Sequence, residues 1–327
     1  MIDAHSLVRA LNDGKPHAPD GLATRLGVPR SSIIHGIERL RSMDIEIIDT
    51  RGEGCYRLTR RLDLLDAKAI FQAIHERTRA VINAIEILPE VDSTSAYLMR
   101  AGAAGAAAGQ VCLAERQTEG RGRRGRTWVS PFAANIYMSL LSRFERSIIK
   151  PGRLTTGIGV ALAEALTSLG ATEIALKWPN DVLWRQKKLG GVLVERAGDA
   201  GGEPYFVIGI GLNIRMPDRH APKIDQPWTD LSIVMNGAAP SRNTVAARLL
   251  EAAIAELGLL EEDRAEDLER KWRIYDCNLG RPVALHTPQG CERGVAMGID
   301  ADGRLLMKCG GVLRAFTCGE ISLRSGA

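Results

Sequence analysis

Gly120-Arg121-Gly122-Arg123-Arg124-Gly125-Arg126-Thr127-Trp128 is the most informative stretch of this 327-residue chain. Four arginines and three glycines fill its first seven positions. Glycine lets the backbone approach a ligand closely, and arginine presents a planar, permanently charged fork that matches phosphate and carboxylate oxygens. The composition is therefore typical of a loop that holds an anion, with a basic segment facing solvent as the alternative.

The same stretch matches G-x-G-x-x-G, the phosphate-binding fingerprint of dinucleotide folds, and the residues directly after it decide the class of fold. That fingerprint requires a helix immediately after the glycines. Here Trp128-Val129-Ser130-Pro131 comes next instead, and then the strand-like run Asn135-Ile136-Tyr137-Met138-Ser139. The chain also lacks the G-x-x-x-x-G-K-[ST] pattern of P-loop enzymes. The sequence therefore indicates neither of these nucleotide-binding folds.

Composition and charge describe an ordinary globular protein. The chain is 45% hydrophobic and 25% charged, with a net charge of +4. At this length we expect two or three domains, and a DNA-binding role has to rest on local pattern because the net charge is small. No apolar run is long enough to cross a bilayer, and the first residues lack the features of a secretory signal. We therefore expect no membrane association and a cytoplasmic location.

The six cysteines and six histidines are dispersed along the chain. The cysteines form no C-x-x-C pair, and no two histidines are four residues apart. The pattern predicts neither a zinc site nor a disulfide framework. We expect reduced cysteines and histidines without a ligand role.

The first 58 residues are predicted to form a winged helix-turn-helix. The spacing of apolar residues indicates two helices between residues 7 and 26, and Ser31 is expected to cap a third. Two short strands, at residues 45–48 and 55–58, flank Arg51-Gly52-Glu53-Gly54 and are typical of a β-hairpin wing.

DNA binding is the function that this N-terminal pattern favours. In a helix-turn-helix the second helix of the pair lies in the major groove. The polar residues available to contact DNA, on that helix, just before it and in the wing, are Arg30, Ser31, Ser32, His35, Arg39, Arg41 and Arg51. Small three-helix units also serve as protein-interaction modules, but the wing and the basic residues favour DNA.

The middle of the chain alternates predicted strands and helices. A linker at residues 62–66 leads to a helix predicted over residues 67–76. Strands at Ile174–Trp178 and Leu189–Arg196 are expected to be joined by the polar turn Arg185-Gln186-Lys187-Lys188. Because successive strands lie so close in sequence, we expect a mixed or antiparallel sheet backed by helices.

The last part of the chain changes character. From residue 279 onward, short predicted strands alternate with glycine-rich turns, which is typical of a small β-barrel. The predicted fold class is thus α+β. Its expected domains are residues 1–61, the winged helix-turn-helix; residues 62–276, a central sheet with helices; and residues 277–327, the barrel.

Further motifs accompany the arginine–glycine loop. Lys177-Trp178-Pro179-Asn180-Asp181, Lys187 to Glu195 and Gly209-Ile210-Gly211-Leu212-Asn213 lie after it, Asp92-Ser93-Thr94 lies before it, and Gly319 to Arg324 lies near the end. In this order the motifs resemble those of the biotin protein ligases, from about Ile85 to Arg324. The N-terminal segment resembles the DNA-binding head of the bifunctional members, which also repress the biotin operon.

The resemblance implies a class II synthetase-like catalytic domain and an SH3-like C-terminal barrel. It also implies which positions carry the chemistry. The catalytic positions are Lys188, Arg121 and Arg123. The positions that line the biotin and adenylate site are Ser93, Thr94, Ser95, Gln117, Gly120, Arg121, Gly122, Arg123, Trp128, Lys188, Gly190, Gly191 and Gly209. Many relatives carry Asn at the position of Ser95, which leaves one hydrogen bond unassigned.

The resemblance further implies an ATP site and a metal. The corresponding positions are Lys177, Asn180, Asp181, Asn213, Trp228 and Arg324. Asp181, with Asn180 beside it, is an oxygen donor suited to Mg²⁺, which usually also binds substrate phosphates.

The function implied by the resemblance is ATP-dependent formation of biotinyl-5′-AMP and transfer of biotin to a lysine of a carboxylase carrier domain. The expected partners are that carrier domain, operator DNA of biotin genes and a second copy of the chain in an adenylate-bound homodimer. A lipoate-type ligase and a ligand-sensing winged-helix repressor without ligase activity are the alternatives. The arginine–glycine loop and Lys177-Trp178-Pro179-Asn180-Asp181 favour biotin over lipoate, and the retained reactive lysine argues against a pure sensor.

Overall fold

Three helices and a β-hairpin open the chain in the computed structural model. The structure describes residues 4–50, 54–144, 150–198, 204–261, 267–287, 290–317 and 322–325. The helices are α1 (Ala4–Leu11), α2 (Pro19–Leu26) and α3 (Arg30–Ser42). The strands β1 (Ile47–Thr50) and β2 (Cys55–Leu58) then pair antiparallel. The helices bury their aliphatic faces in one core, whose members include Leu7, Leu11, Leu22, Ile33 and Leu40.

The start of α3 differs from the prediction. Pro29 holds the N-cap position without a side-chain hydrogen bond, so Ser31 is the second residue of the helix rather than its cap. β1 also begins two residues later than predicted, because the Ile45 N–H is bonded to the Leu40 carbonyl at the end of α3, at 3.1 Å. Both differences arise where backbone geometry at a helix end overrides the local sequence pattern.

A seven-stranded sheet forms the centre of the molecule. Its strands in chain order are β3 (Ala84–Leu88), β4 (Gln110–Ala114), β5 (Ile136–Arg143), β6 (Ile174–Lys177), β7 (Asp181–Trp184), β8 (Lys187–Ala197) and β9 (Tyr205–Leu212). Their order in the sheet is β3-β4-β5-β9-β8-β7-β6. β3 and β4 pair in parallel and all other neighbours in this sheet pair antiparallel, so the prediction of a mixed sheet is confirmed.

The central sheet contains a strand that the sequence pattern does not predict. β7 lies between the two strands that were expected to be joined by one polar turn, and it pairs with both. Val182 and Leu183 are buried, which makes this short segment part of the sheet. The turn contracts to Arg185 and Gln186, whose φ angles of 46° and 64° suit a two-residue hairpin connection.

Helices cover the sheet. They are α4 (Ala67–Ala73), α5 (Glu76–Arg79), α6 (Thr94–Ala103), α7 (Pro151–Ser168), α8 (Leu231–Val234), α9 (Arg242–Glu261) and α10 (Leu268–Tyr275). The helix predicted over residues 67–76 is broken in two because Ile74 adopts an extended conformation, with ψ 142°. α7 and α9 pack together and enclose the main core with the sheet.

The C-terminal strands form a separate antiparallel sheet. They are β10 (Pro282–Thr287), β11 (Gly290–Ile299), β12 (Leu305–Cys309), β13 (Val312–Phe316) and β14 (Ser322–Ser325), in the order β13-β12-β11-β10-β14. Ala296, Ile299 and Met307 belong to the same buried cluster as the central sheet. The C-terminal sheet is therefore packed onto the central unit. No helix in the described ranges has the length and apolarity needed to span a membrane.

Candidate active site

One face of the central sheet forms the floor of a cavity of about 1220 Å³. Tyr137 of β5, Gly211 of β9, Gly191 of β8, Asp181 of β7 and Lys177 of β6 stand opposite one another in successive strand pairs, and all line the cavity. Strands are spaced by about 4.8 Å, so Gly211 and Lys177 are separated by about 14 Å across the floor. This row can therefore support a ligand longer than biotin alone.

The glycines of the floor are required by close packing above them. A Cβ atom on Gly211 would lie 2.7 Å from the Trp128 ring, and one on Gly209 would lie 2.5 Å from Ser95 Oγ. At Gly191 the nearest atom to a Cβ would be the Asn180 carbonyl oxygen at 3.4 Å, an ordinary contact. Gly211 is a site residue that sequence reasoning missed, although it lies in the quoted glycine motif.

A chain of hydroxyl and amide groups forms the wall at the amino end of α6. The Thr94 N–H donates to Gln117 Oε1 at 2.9 Å, and the Gln117 amide donates to Ser130 Oγ at 3.0 Å. Ser139 Oγ lies 2.8 Å from Thr94 Oγ1 and 3.0 Å from Ser95 Oγ. In this chain the Ser95 hydroxyl therefore bonds to that of Ser139. Such a wall offers donors and acceptors to a neutral polar group.

Ser93 and Asp92 fix the beginning of α6. The Ser93 side chain accepts the Ala96 N–H and so caps the helix. The Asp92 carboxylate accepts bonds from both Arg100 guanidinium nitrogens at 2.6 and 3.0 Å. The Arg100 side chain therefore holds the pKa of Asp92 below its ordinary value. These contacts fix the first turn of the helix beside the cavity, which Ser93 lines.

The arginine–glycine loop is a hairpin tip that overhangs the floor. The Trp128 N–H donates to the Gly120 carbonyl at 2.8 Å, and the Gly122 N–H donates to the Arg126 carbonyl at 2.7 Å. At its apex Arg124 adopts a left-handed conformation with φ 59°. The side chains that this loop brings to the cavity are Arg121, Arg123, Arg124, Arg126, Thr127 and Trp128.

Arg123 connects the loop to the opposite wall. Its Nη1 lies 3.4 Å from Asn180 Oδ1, and Asn180 in turn donates from Nδ2 to the Val192 carbonyl at 3.0 Å. Arg123 is half-buried, whereas Arg121 is exposed on the same cavity. The structure thus brings together both arginines that were predicted to be catalytic.

Lys188 lies between a carboxylate and an aromatic ring. Its Nζ is 2.7 Å from Asp181 Oδ1 and 5.5 Å from the centre of the Trp128 ring. Its side chain is 15% exposed, so the ammonium is largely withdrawn from bulk water. The Trp128 indole N–H is buried and has no acceptor within the described residues. An anion entering here meets a positioned cation beside an apolar wall.

Two further segments complete the cavity, and the sequence indicated only the end of the first, beside Trp228. Residues Lys223, Asp225, Gln226 and Pro227 line one side, and Asn278, Arg281 and Pro282 line another. The first segment is attached to the floor, because the Lys188 N–H donates to the Pro227 carbonyl at 2.9 Å. Apart from Pro227 next to Trp228, only the folded chain identifies these residues.

Some predicted site residues do not line the cavity in the described structure. Gly120, Gly190, Asn213 and Trp228 lie beside lining residues instead. Asn213 is buried and donates to the Thr229 carbonyl at 3.0 Å, which ties β9 to the following segment. Arg324 stands opposite Ala284 in the pairing of β14 with β10, and its side chain lies outside the described part.

Comparison with known proteins agrees with this geometry. Residues 87–213 match the Biotin/lipoate A/B protein ligase family, and residues 279–324 match the Biotin protein ligase C terminal domain. The chain is 37% identical to the bifunctional ligase/repressor BirA of Salmonella typhimurium, over 98% of this chain and 97% of the relative. It is 33% identical to the biotin–[acetyl-CoA-carboxylase] ligase of Mycobacterium tuberculosis, over 72% and 88%.

A solved structure shares the fold. The biotin protein ligase of Aquifex aeolicus in complex with biotin and ATP superposes with a TM-score of 0.65 at 29% identity, over 75% of this chain and all of that one. Fold and site thus define a ligase of the biotin and lipoate class. Within that class, the extended identity to BirA decides the family: this chain belongs to the biotin protein ligases.

Proposed function

We propose that this protein joins biotin to ATP, forming biotinyl-5′-AMP, and then transfers biotin to a lysine of a carboxylase carrier domain. The observation that carries the proposal is one cavity in which a neutral polar wall and a group of cations are connected by a floor of glycines. In the first step the biotin carboxylate oxygen bonds to the α-phosphorus and pyrophosphate leaves. In the second step the carrier amine attacks the acyl carbon, loses a proton and displaces AMP.

The polar wall suits the ureido group of biotin. Ser93, Thr94 and Gln117 supply hydroxyl and amide groups, and the absence of a side chain at Gly209 makes room for the Ser95 hydroxyl beside them. Trp128 supplies an apolar wall for the rings and the valerate tail. Five further positions are proposed to contact biotin through their backbone or to position the groups that do: Ser95, Gly120, Gly122, Gly190 and Gly191.

The cations suit the transfer step. Adenylation brings two anions together and accumulates negative charge on phosphorus oxygens and on the leaving group. Lys188 would balance the carboxylate and the α-phosphate, and Arg121 and Arg123 would balance the charge that develops between them. Closure of the arginine–glycine loop would exclude water from an acyl-adenylate that water can hydrolyse.

The floor beyond Asp181 suits the nucleotide. We assign Lys177, Asn180 and Asp181 to the phosphates of ATP. Three more positions are assigned to the surroundings of the nucleotide: Asn213, Trp228 and Arg324. In the described ranges no group of three or more His, Cys, Asp or Glu side chains could hold a metal alone. Magnesium would therefore enter on the phosphates of ATP, neutralising part of their charge, with the Asp181 carboxylate as the protein ligand.

A second function, repression of biotin genes, is favoured by the N-terminal unit. We propose that α1 to α3 with the β1–β2 hairpin are a winged helix-turn-helix and that α3 enters the major groove. Arg30, Ser31, Ser32 and His35 lie on or at the start of α3, with His35 exposed. Two chains carrying biotinyl-5′-AMP would dimerise and contact operator DNA together, because one unit offers few phosphate contacts.

The arginines proposed for DNA binding that the structure describes already have contacts within the protein. Arg39 lies 3.5 Å from Glu90, and Arg41 donates to the Ile47 carbonyl. Arg30 lies 3.3 Å from Asp20, and His35 Nδ1 lies 2.8 Å from the Ser31 carbonyl, so internal contacts do not rank these candidates. Arg51 lies outside the described residues.

The proposed domains follow from where the cores separate. Leu62 and Leu64 pack against the N-terminal core, whereas Leu65 belongs to the main core. The change of core lies between Leu64 and Leu65, three residues after the boundary that we propose between a first domain of residues 1–61 and a catalytic domain of residues 62–276. Residues 277–327 would form the SH3-like barrel. We also expect the protein to act in the cytoplasm, where ATP and carrier proteins are available.

Purified protein mixed with biotin, labelled ATP and an apo carrier domain tests the ligase. We expect biotin-dependent release of pyrophosphate followed by labelling of one carrier lysine. Lipoate in place of biotin is the matched comparison, and a preference for lipoate would identify the rival activity.

A gel shift on the protein's own biotin-gene promoters, with and without biotin and ATP, tests repression. No retardation in either condition would contradict it.

A further inference from the structure

The cavity contains more positive charge than biotin and an α-phosphate require. Eight lysine and arginine side chains among the described residues line it, against the two carboxylates of Asp181 and Asp225. Lys188 is already paired with Asp181 at 2.7 Å. Because a triphosphate carries several negative charges, the remaining cations indicate where its outer phosphates lie.

Residues 276–278 extend the floor past Lys177. Leu176 and Asp276 form a parallel bridge, and the Cys277 N–H donates to the Leu176 carbonyl at 3.0 Å. This segment therefore occupies the place of the next strand beyond β6. Asn278, the last residue of this segment, and Arg281 after it line the same cavity as Lys177. The C-terminal segment thus forms the end wall of the row that runs from Gly211 to Lys177.

Asn278 is a buried polar residue whose side-chain amide nitrogen finds no hydrogen-bond acceptor among the described residues. The residue is 5% exposed, and its Nδ2 has no hydrogen-bond partner within the described structure. Burying an amide donor without an acceptor is costly, so such a group in a cavity wall indicates a ligand that completes it. Arg281 nearby is exposed to the cavity and presents a guanidinium.

Resting on the function proposed above, we infer that Asn278 and Arg281 bind the β- and γ-phosphates of ATP and hold the pyrophosphate that leaves. An arginine fork matches two phosphate oxygens, and the Asn278 amide would donate to a third. Catalysis gains because charge that moves onto the leaving group meets a positioned cation. The C-terminal unit is in this way part of the nucleotide site.

The test compares Arg281→Ala with Arg293→Ala. Arg293 lies exposed on β11 of the C-terminal sheet and does not line the cavity, so its replacement is the matched control. For Arg281→Ala we expect the dissociation constant of inorganic pyrophosphate, measured by calorimetry, to rise at least about tenfold, the scale of a lost charge-assisted hydrogen bond. The KM for ATP should rise similarly, and the KM for biotin should stay within twofold. Arg281→Lys should restore part of the loss.

Three outcomes would overturn the inference. Unchanged pyrophosphate binding relative to Arg293→Ala removes Arg281 from the phosphate site. An equal rise in the KM values for biotin and ATP means that Arg281 acts through packing. Weaker binding of AMP with unchanged binding of pyrophosphate places Arg281 at the nucleoside instead. Pyrophosphate binding is measured without turnover, so a wild-type protein that makes no adenylate would contradict the proposed function while the calorimetry still decides this inference.

Discussion

At the scale of single residues, the sequence motifs identify Lys188 and Arg123, but the fold decides what each one contacts. Lys188 is paired with Asp181, a residue assigned to ATP and metal from its motif. Arg123 reaches Asn180, which lies in a different motif. The motifs are therefore coupled by side-chain contacts that cross the cavity. Substitutions at these residues should affect separate steps of the reaction.

Lys188→Ala should reduce adenylate synthesis by about a hundredfold or more, the usual scale for loss of a charge partner in the transition state. The measurement is single-turnover release of pyrophosphate. Lys187→Ala is the control, because Lys187 is exposed in the adjoining position of β8. If Lys188→Ala stays within a few-fold of wild type, Lys188 has no catalytic role.

Arg123→Gly should release biotinyl-5′-AMP faster while leaving biotin affinity little changed. The substitution removes the contact between the loop and Asn180, so the loop no longer holds the adenylate against the floor. Stopped-flow measurement of adenylate release tests this, and labelling of bystander lysines should accompany it. Biotin affinity of the same variant is the internal control, and an unchanged release rate would contradict the role.

At the scale of elements, the decisive feature is the pairing of β9 with β8. Register places Gly211 opposite Gly191 and Gly209 opposite Leu193, so two glycines of β9 open the same face of the sheet. Trp128 then packs onto that face above Gly211. The arginine–glycine loop is held in place by this packing as well as by its own hydrogen bonds. Stability and ligand binding are therefore connected at β9.

Gly211→Ala should lower the free energy of unfolding by about 1–3 kcal/mol, because the new methyl group collides with the Trp128 ring. Gly191→Ala should cost less than about 1 kcal/mol, since a Cβ at that position makes an ordinary contact. Urea unfolding of both variants provides the comparison. Equal destabilisation of the two would show that Trp128 is not fixed above Gly211.

The packing of α9 against α7 predicts a pH-dependent stability. Glu256 is buried against Gly157, and this burial raises its pKa from 4.5 to about 7, with Lys271 and Arg153 opposing and Glu164 adding to the rise. A raised folded-state pKa means that its contribution is fully favourable below pH 4.5 and is lost as pH rises through about 7. Ionised Glu256 therefore destabilises the fold above that pH.

Glu256→Gln should consequently stabilise the protein at pH 8 by up to about 3 kcal/mol, at 1.36 kcal/mol for each pKa unit. At pH 5 the variant and wild type should differ little, because the wild-type carboxyl is protonated in the fold. Urea unfolding at the two pH values measures the difference. A stabilisation that does not depend on pH would mean that the carboxyl remains ionised or that the amide repacks.

At the scale of the whole molecule, several contacts tie the N-terminal unit to the catalytic unit, and two of them lie beside the candidate site. Phe132, four residues after Trp128, is buried in the core of the N-terminal unit. Arg219, in the segment that leads to the cavity wall at Lys223, donates to Glu46 at 2.8 Å. Both contacts lie close in sequence to cavity residues. Occupancy of the site and the position of the N-terminal unit can influence each other through them.

Deletion of residues 1–60 should abolish DNA binding, preserve ligation and accelerate release of the adenylate. The first effect follows from loss of α3, and the last from exposure of Phe132 beside the loop. Gel shift and adenylate release measure the two effects. Phe132→Ala in the full chain is the control, since it should loosen the adenylate without removing the DNA-binding unit. Retention of DNA binding by the truncated chain would contradict the proposed domain function.

The linker between these units was predictable in position but not in structure. Three of its five residues are leucines, and Leu65 donates its N–H to the buried Glu115 carboxylate at 2.7 Å. Arg242 pairs with the same carboxylate at 2.6 Å and donates to the Asp63 carbonyl. Partners that lie 50 to almost 180 residues apart in the chain leave no local pattern for the sequence to display.

The sequence by itself determined the class of fold, the arginine–glycine loop and most of the candidate site, because glycine, charge and apolar spacing act over a few neighbouring residues. It did not determine β7, the glycine floor at Gly211, or the end wall at Asn278 and Arg281. These depend on which strands pair and in which register, and at the end wall the contacts join segments 100 residues apart, Leu176 with Asp276. Only the tertiary structure decides such contacts, since they arise from burial of the whole sheet rather than from any local stretch of chain.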